Sequence, residues 1–305
     1  MENQAALSLI LFILGTGLLV GGVGLLMVAL LGLLNKNKAS TSRKRLAKEL
    51  CIYGDTTIGT RSYQQDSSTM SNKDNPYFIK HNGLFAAVCD GMGGMQGGEI
   101  ASALCADTLY RSVMNAGRVL DDPCAVMKDA VIRADRSICE LTDSSGKRMR
   151  AGTTAIAAVI TGGRLHWISV GDSRIYMYEN GIISRVTRDH NYMLELMTQV
   201  EQGTITLYDA EHHPQAEALI SYVGMGGIKL IDKGSEPFNE MNDRVFILCS
   251  DGLYKVLSDL EIEQIVKDYK NNLRLLPKKL VEAVEARRGT RSLDNTTVVV
   301  IGYGY

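Results

Sequence analysis

Several things are scarce or missing in this chain of 305 residues, and each lack narrows its function. There is no basic excess: 33 Lys and Arg stand against 34 Asp and Glu, a formal net charge of −1. Holding nucleic acid by its phosphates takes clustered positive charge, and nothing in the composition supplies it. None of Cys51, Cys89, Cys105, Cys124, Cys139 and Cys249 forms a CxxC pair. Their scatter through apolar or helical-looking stretches argues against zinc and against a disulfide framework, and reads as free thiols in a reducing compartment. Internal repeats and low-complexity tracts are absent. The glycine-rich stretch from Gly91 to Gly98 lacks the Lys-Ser/Thr of a P-loop, which sets aside that mode of nucleotide binding. Proline is scarce, at 5 residues, while glycine is plentiful, at 30, a balance that suits tight turns between strands.

What is present begins with residues 5–34, uncharged and rich in Leu, Ile, Val and Gly. As a helix this run would be about 45 Å long, more than the roughly 30 Å hydrocarbon core, so it would span with tilt. A cleaved signal peptide is the alternative, but it wants a basic n-region and a shorter apolar core, and Met1-Glu2-Asn3-Gln4 carries no basic residue. The expectation is an uncleaved transmembrane helix over 5–34, with 1–4 outside, a basic linker over 35–50 and one body over 51–305. Lys36, Lys38, Arg43, Lys44, Arg45 and Lys48 follow the span and no Lys or Arg precedes it. Positive charge stays inside, which places the body in the cytoplasm at the cell membrane, its linker near anionic headgroups. Gly17 and Gly21 form a GxxxG pair through which two anchors would pack as a weak dimer.

In the body, an apolar run from Leu84 ends abruptly at Cys89-Asp90, and Gly91, Gly93 and Gly94 follow. This reads as a buried strand that delivers one carboxylate to its exit, then a turn where bare backbone approaches something closely. A metal ion fits, because carboxylates and glycine carbonyls are hard oxygen ligands. An ordinary Asp-Gly turn ends many strands too, so distant sequence has to decide. Leu248-Cys249-Ser250-Asp251-Gly252 repeats the pattern, and Gly171-Asp172 interrupts a third apolar run. Asp294 opens a terminal strand, Val298 to Ile301, and Asp66 lies in a polar segment with Arg61. These carboxylates have no His or Cys cluster beside them; they repel one another unless cations hold them. Oxygen-only ligation points to Mg²⁺ or Mn²⁺ rather than zinc. Two such ions suit phosphoester hydrolysis, and a nearby Arg suits bidentate binding of phosphate. His212-His213, side by side on the polar stretch 202–217, read as surface residues.

Around these motifs the pattern predicts helices from Gly97 to about Asn115, from Pro123 to near Ser144, over 193–200, over 258–269 and over 273–286. Short strands joined by Gly turns fill 152–186 and predict an antiparallel sheet. Further strands are expected at 77–80, 219–223, 228–231 and 245–249.

Arg61-Ser62-Tyr63-Gln64-Gln65-Asp66, Asp90-Gly91-Met92-Gly93-Gly94, Gly152-Thr153-Thr154, Val170-Gly171-Asp172-Ser173-Arg174, Thr187-Arg188-Asp189-His190, Ser250-Asp251-Gly252 and Asp294-Asn295-Thr296-Thr297 stand in this order. In them the chain resembles the metal-dependent protein phosphatases, the PPM or PP2C-type serine/threonine phosphatases, in their bacterial branch, over Cys51 to Tyr305. The resemblance implies an α+β fold, a four-layer α-β-β-α sandwich of two antiparallel sheets flanked by helix pairs. It implies that Asp90 bridges two Mn²⁺ or Mg²⁺ ions and that the Gly91 carbonyl ligates one. Asp251 and Asp294 would hold the first ion, Asp66 would support the second through water, and Asp172 with Asp251 would contribute to a third, weaker site. Arg61 would grip the phosphate while a metal-bridging hydroxide attacks phosphorus directly.

The activity so implied is removal of phosphate from phosphoserine and phosphothreonine in cytosolic proteins; with the anchor, a membrane Ser/Thr kinase becomes the natural partner. A catalytically inactive sensor or adaptor on the same fold is an alternative whose signature, lost metal aspartates, is missing. A phosphatase for a partner-switching sigma-factor regulator is another, differing only in substrate. Two positions depart from the family's pattern. Gln64 stands where Asn is usual, and Met92 stands where eukaryotic members carry a His regarded as a general acid. Residues 201–214 resemble the mobile flap of bacterial members.

Overall fold

The run Leu84-Phe85-Ala86-Ala87-Val88-Cys89 is apolar on both faces, and such a strand needs a packed layer on each side. The computed structural model, which describes residues 49–71, 83–93, 97–116, 121–241 and 243–304, supplies both layers. In β3 (Leu84–Gly93), Phe85, Ala87 and Cys89 join a cluster with Leu109, Met127 and Ile138 of helices α1 (Gly97–Met114) and α2 (Pro123–Cys139). Leu84, Ala86 and Val88 join a different cluster, with Ile52, Phe246, Leu248, Val299 and Ile301. The strand β10 (Val245–Cys249) alternates in the same way. Its Val245, Ile247 and Cys249 pack with Leu253, Ile262 and Leu280 of α5 (Asp251–Tyr254), α6 (Asp259–Tyr269) and α7 (Leu276–Glu285). Its Phe246 and Leu248 face the inter-sheet cluster, where the Phe246 ring meets Phe238 edge-on at 5.2 Å. The layers therefore run helices, sheet, sheet, helices, the sandwich expected.

One sheet has the order β1-β11-β10-β7-β8, with β1 at Glu49–Thr57, β11 at Thr296–Gly304, β7 at Arg174–Glu179 and β8 at Ile182–Arg185. The other runs β2-β3-β5-β6-β9, from β2 (Asp66–Met70) through β5 (Ala155–Thr161) and β6 (Arg164–Val170) to β9 (Asp232–Pro237). The short β4 (Ala151–Thr153) adds to β3. Every ladder between these strands is antiparallel.

Helix starts are set locally. Asp122 accepts the Ala125 amide at 3.0 Å, with Pro123 in the first turn of α2; such a cap is worth about 1 kcal/mol. Ser258 and Glu261 form a capping box on α6. Between α3 (Tyr192–Glu201) and the end of the flap-like stretch, a Thr206–Asp209 capping box starts the short α4 (Leu207–Glu211), so 202–217 is not wholly irregular.

Three expectations need correction. Residues 219–223 and 228–231 are not strands; Leu219 and Val223 make single bridges to Asn191 and Thr153. The loop instead wraps a buried carboxylate: Asp135 of α2 accepts the amides of Gly224 at 2.7 Å, Gly226 at 3.2 Å and Gly227 at 2.9 Å. The strand in this region is β9, whose polar Asp-Lys-Gly-Ser-Glu-Pro pairs only with β6 and carries no apolar signature because it is an edge. Helix α2 stops at Cys139 rather than near Ser144, because the Met149 amide bonds the Leu141 carbonyl and turns the chain back. The last helix begins at Leu276, three residues later than predicted, where Pro277 fits a first turn.

All six cysteines are free, and Cys89, Cys105, Cys124 and Cys249 are buried, as expected. Among the described residues no helix is long and apolar enough to cross a membrane. The predicted span over 5–34, the GxxxG pair, the basic residues of the linker and the strand at 77–80 lie outside the described residues.

Candidate metal-dependent active site

Strand register brings the aspartates together. Asp66 on β2 is the Cα partner of Asp90 on β3. Like charges directly opposite one another destabilise a sheet, so the pair needs compensation. One Asp66 oxygen accepts the Ser250 hydroxyl at 2.7 Å, while its Oδ1 is buried without a partner. Burial above all, with Asp251 and Asp294 adding repulsion, pushes the Asp66 carboxyl up to about 6 against the hydrogen bonds that favour its charged form. Asp90 is held well above the ordinary carboxylate range by burial and then by Asp66, Asp251, Asp172 and Asp294.

The backbone at Asp90 is pinned from the next strand. Its amide donates to Thr154 Oγ1 at 2.9 Å, and its carbonyl accepts the Thr154 amide at 2.8 Å and the Thr153 hydroxyl at 2.9 Å. Gly91 then passes so close to its neighbours that a Cβ would lie 2.1 Å from the Gly98 carbonyl oxygen and 2.5 Å from that of Gln65. Gly171 takes φ +98° and would set a Cβ 2.7 Å from the Thr154 side chain. That turn delivers Asp172, 6% exposed, whose carboxyl burial and Asp251 push up to about 6. The Tyr254 hydroxyl donates to the Asp172 carbonyl at 2.9 Å. Arg174 lies over the Tyr254 ring at 3.5 Å and binds both Asp189 oxygens, at 3.0 and 2.7 Å.

Two cations neutralise part of this charge. Arg61 pairs with Asp294 at 2.5 Å, and Lys255 with Asp251 at 2.7 Å. Lys255 also reaches Glu217 at 3.4 Å. Asn295 ties the Arg61 loop down, donating to the Ile58 and Tyr63 carbonyls and accepting the Gln65 amide. Gln64 does the same from within: its Nε2 donates to Thr56 Oγ1 at 3.0 Å and to the Thr57 carbonyl, and its Oε1 accepts the Asp66 amide at 3.0 Å. The longer amide at this position still orients the loop that carries Asp66.

Arg61, Asp90, Gly91, Asp172, Asp251 and Asp294 line one cavity of about 370 Å³, with Asp66 buried beside Asp90 on the neighbouring strand. All the predicted site residues thus fall in one place. Among the described residues no three carboxylate, imidazole or thiol groups converge as they stand into a finished chelate. Arg61 and Lys255 each pair with one of the carboxylates. The donor set nonetheless fits a hard cation: oxygens only, carboxyls raised by burial and then by mutual repulsion, and a buried Asp66 oxygen with nothing to bind. Sequence reasoning missed Lys255 and Tyr254, and quoted Ser250 and Thr154 only as parts of motifs, without a role. Of the two missed, Lys255 leaves a signal, as the i+4 partner of Asp251 on a helix.

A family model described as Protein phosphatase 2C matches residues 59–195, a stretch that includes Arg61, Asp66, Asp90 and Asp172. This match and those that follow support a serine/threonine protein phosphatase of the PP2C type. Among similar proteins, the serine/threonine phosphatase stp of Listeria monocytogenes is 27% identical over 244 residues, 79% of this chain and 90% of that protein. The serine/threonine protein phosphatase PstP of Mycobacterium tuberculosis is 32% identical over 231 residues, 72% of this chain but 41% of the longer relative. A crystal structure of the catalytic domain of a PstP in complex with two manganese ions superposes with a TM-score of 0.65 at 25% identity, covering 84% of this chain and 99% of that one.

Proposed function

We propose that this chain is a membrane-anchored phosphatase, dependent on Mn²⁺ or Mg²⁺, that hydrolyses phosphoserine and phosphothreonine in cytoplasmic proteins and opposes a membrane Ser/Thr kinase. The observation that carries the reading is the gathering of Asp66, Asp90, Asp172, Asp251 and Asp294 about one pocket that Arg61 also lines. Asp90 would bridge two ions, with the Gly91 carbonyl, Asp251 and Asp294 completing the first site and Asp66 supporting the second through water. Asp172 with Asp251 would hold a third, weaker ion. When bound, the ions supply the nucleophile and neutralise the transferring phosphoryl group.

The chain's own residues do the rest. Arg61, more than half exposed and on a loop braced by Asn295 and Gln64, is free to exchange Asp294 for phosphate oxygens and orient them in bidentate fashion. Thr153 and Thr154 fix the end of β3, so Asp90 keeps its place as charge moves. Met92 lines the pocket and has no proton to give, so no side chain at that position protonates the leaving group. Anchoring rests on the uncharged run over 5–34 and the basic residues after it. A tethered phosphatase meets membrane-proximal phosphoproteins at raised local concentration, which favours a membrane kinase as its counterpart.

The test is Mn²⁺-dependent release of phosphate from a phosphothreonine peptide by the full chain, with Asp90→Asn alongside. Activity in the wild type that the variant lacks supports the reading. A wild type that binds Mn²⁺ yet hydrolyses nothing would sink it and favour an adaptor.

A further inference from the structure

Away from the aspartates, a larger cavity of about 700 Å³ lies between α2 and the loop 226–231. Lys128, Ile132 and Arg136 recur at helical spacing on α2 and form one stripe along it. Arg148 and Lys229 line the same cavity from the turn after α2 and from the loop. All four cations are exposed, and none forms an ion pair with a described residue. Of the two acids in the lining, Asp135 is spent on three glycine amides, which leaves Glu140 as the exposed one. The floor is apolar, from Ile132, Ile228 and Ile231.

Between this basic groove and the aspartate pocket lies a further cavity, next to the groove in the chain and sharing residues with the pocket. This third cavity, about 620 Å³, shares Met92 and Gly93 with that pocket. Its other lining includes Met149 and Met225, the chain neighbours of Arg148 and Gly226 in the basic groove. Methionines give an adaptable apolar surface suited to varied side chains. β4 sets the scale: Thr153 is the Cα partner of Gly91, and Arg148 stands five positions earlier in the chain. Five chain positions span at most about 17 Å, so an extended peptide rising about 3.3 Å per residue covers that interval with five residues or fewer.

We propose that the path from Met92 to the basic groove docks the phosphoprotein substrate, with Lys128, Arg136, Arg148 and Lys229 reading an acidic segment within about five residues of the phosphorylated side chain. This rests on the phosphatase reading above and adds a substrate preference to it. The occupant is set by charge complementarity: free cations over an apolar floor take a carboxylate-bearing peptide with some apolar residues, and the methionine stretch takes the residues between.

The experiment compares two phosphothreonine peptides, one with a Glu cluster within about five residues of the phosphate and one with Ala there, tried on both sides of the phosphoresidue. The Mn²⁺-loaded full chain and its Arg136→Glu/Arg148→Glu variant are assayed for KM and kcat, and for peptide binding by fluorescence anisotropy. The wild type is expected to show a KM about tenfold lower for the acidic peptide, the scale a few exposed ion pairs deliver. The double reversal should abolish or invert that preference while leaving kcat and the rate on p-nitrophenyl phosphate unchanged. Equal KM values in the wild type, or a preference that survives the reversal, overturn the proposal. So does a variant that also loses p-nitrophenyl phosphate hydrolysis, since that effect would be structural. A wild type inactive on every substrate refutes the phosphatase reading instead, and anisotropy still reads the groove.

Discussion

Replacing Asp172 by Asn removes one buried carboxylate from a crowded pocket with little change in shape. Burial, with Asp251 beside it, raises the Asp172 carboxyl from 3.8 to about 6. Below about pH 4 it is neutral in both folded and unfolded chains and costs nothing; between about 4 and 6 the penalty grows, and above about 6 the folded protein carries all of it. A rise of that size corresponds to at most about 3 kcal/mol. In a body of this length each kcal/mol moves the melting midpoint by about 2–4 °C. Asp172→Asn should therefore raise the Tm of chelator-treated protein at pH 7.5 by up to about 10 °C and leave it nearly unchanged at pH 4. The Tyr254 hydrogen bond goes to the backbone carbonyl and survives the change. Differential scanning calorimetry at the two pH values is the assay. A fall in Tm at pH 7.5, or an equal gain at both pH values, would refute the claim that carboxylate crowding strains the metal-free fold.

Three further predictions are simpler. Gly91→Ala forces a Cβ against two backbone carbonyl oxygens, and should cost about 3 kcal/mol or more in a denaturant melt. Arg61→Ala should lower kcat/KM for a phosphopeptide about 100-fold; because it frees Asp294 from its ion pair, titration should find Mn²⁺ affinity undiminished. Phe246→Ala empties the space between the sheets beside Phe238, and should cost about 3–5 kcal/mol by denaturant midpoint while the surviving folded fraction keeps its activity.

Much of this architecture can be read in the chain because alternation is a local property. Leu84 to Cys89 and Val245 to Cys249 each show two apolar faces, and two such strands ending on Asp-Gly signal a shared site. β9 could not be read that way, since an edge strand pairs on one side and needs no apolar residue to hold it. The apolar residues at 219–231 misled for the opposite reason. Ile228 and Ile231 pack on the helix-side core, but the three glycine amides that bind Asp135 fix the loop's path, and that interaction spans a long interval of sequence. At the site, Asp90, Asp172 and Asp251 were legible because each sits at a break in an apolar run, and Asp294 because it opens a terminal strand, while Asp66 stood out only in its polar segment with Arg61. Ser250 as the partner of Asp66 was not, because that contact depends on how two sheets face one another, nor was Tyr254 under Arg174, which depends on β10 pairing with β7.

The central claim is that these aspartates form a divalent metal centre. Calorimetric titration of Mn²⁺ into the metal-stripped full chain, at pH 7.5 and pH 5, tests it most directly, with Asp90→Asn as the paired sample. The raised carboxyls predict saturable binding of two ions with proton release, weaker at pH 5 where protons compete, and lost in the variant. No binding by the wild type, or the same stoichiometry and affinity in Asp90→Asn, would contradict the account.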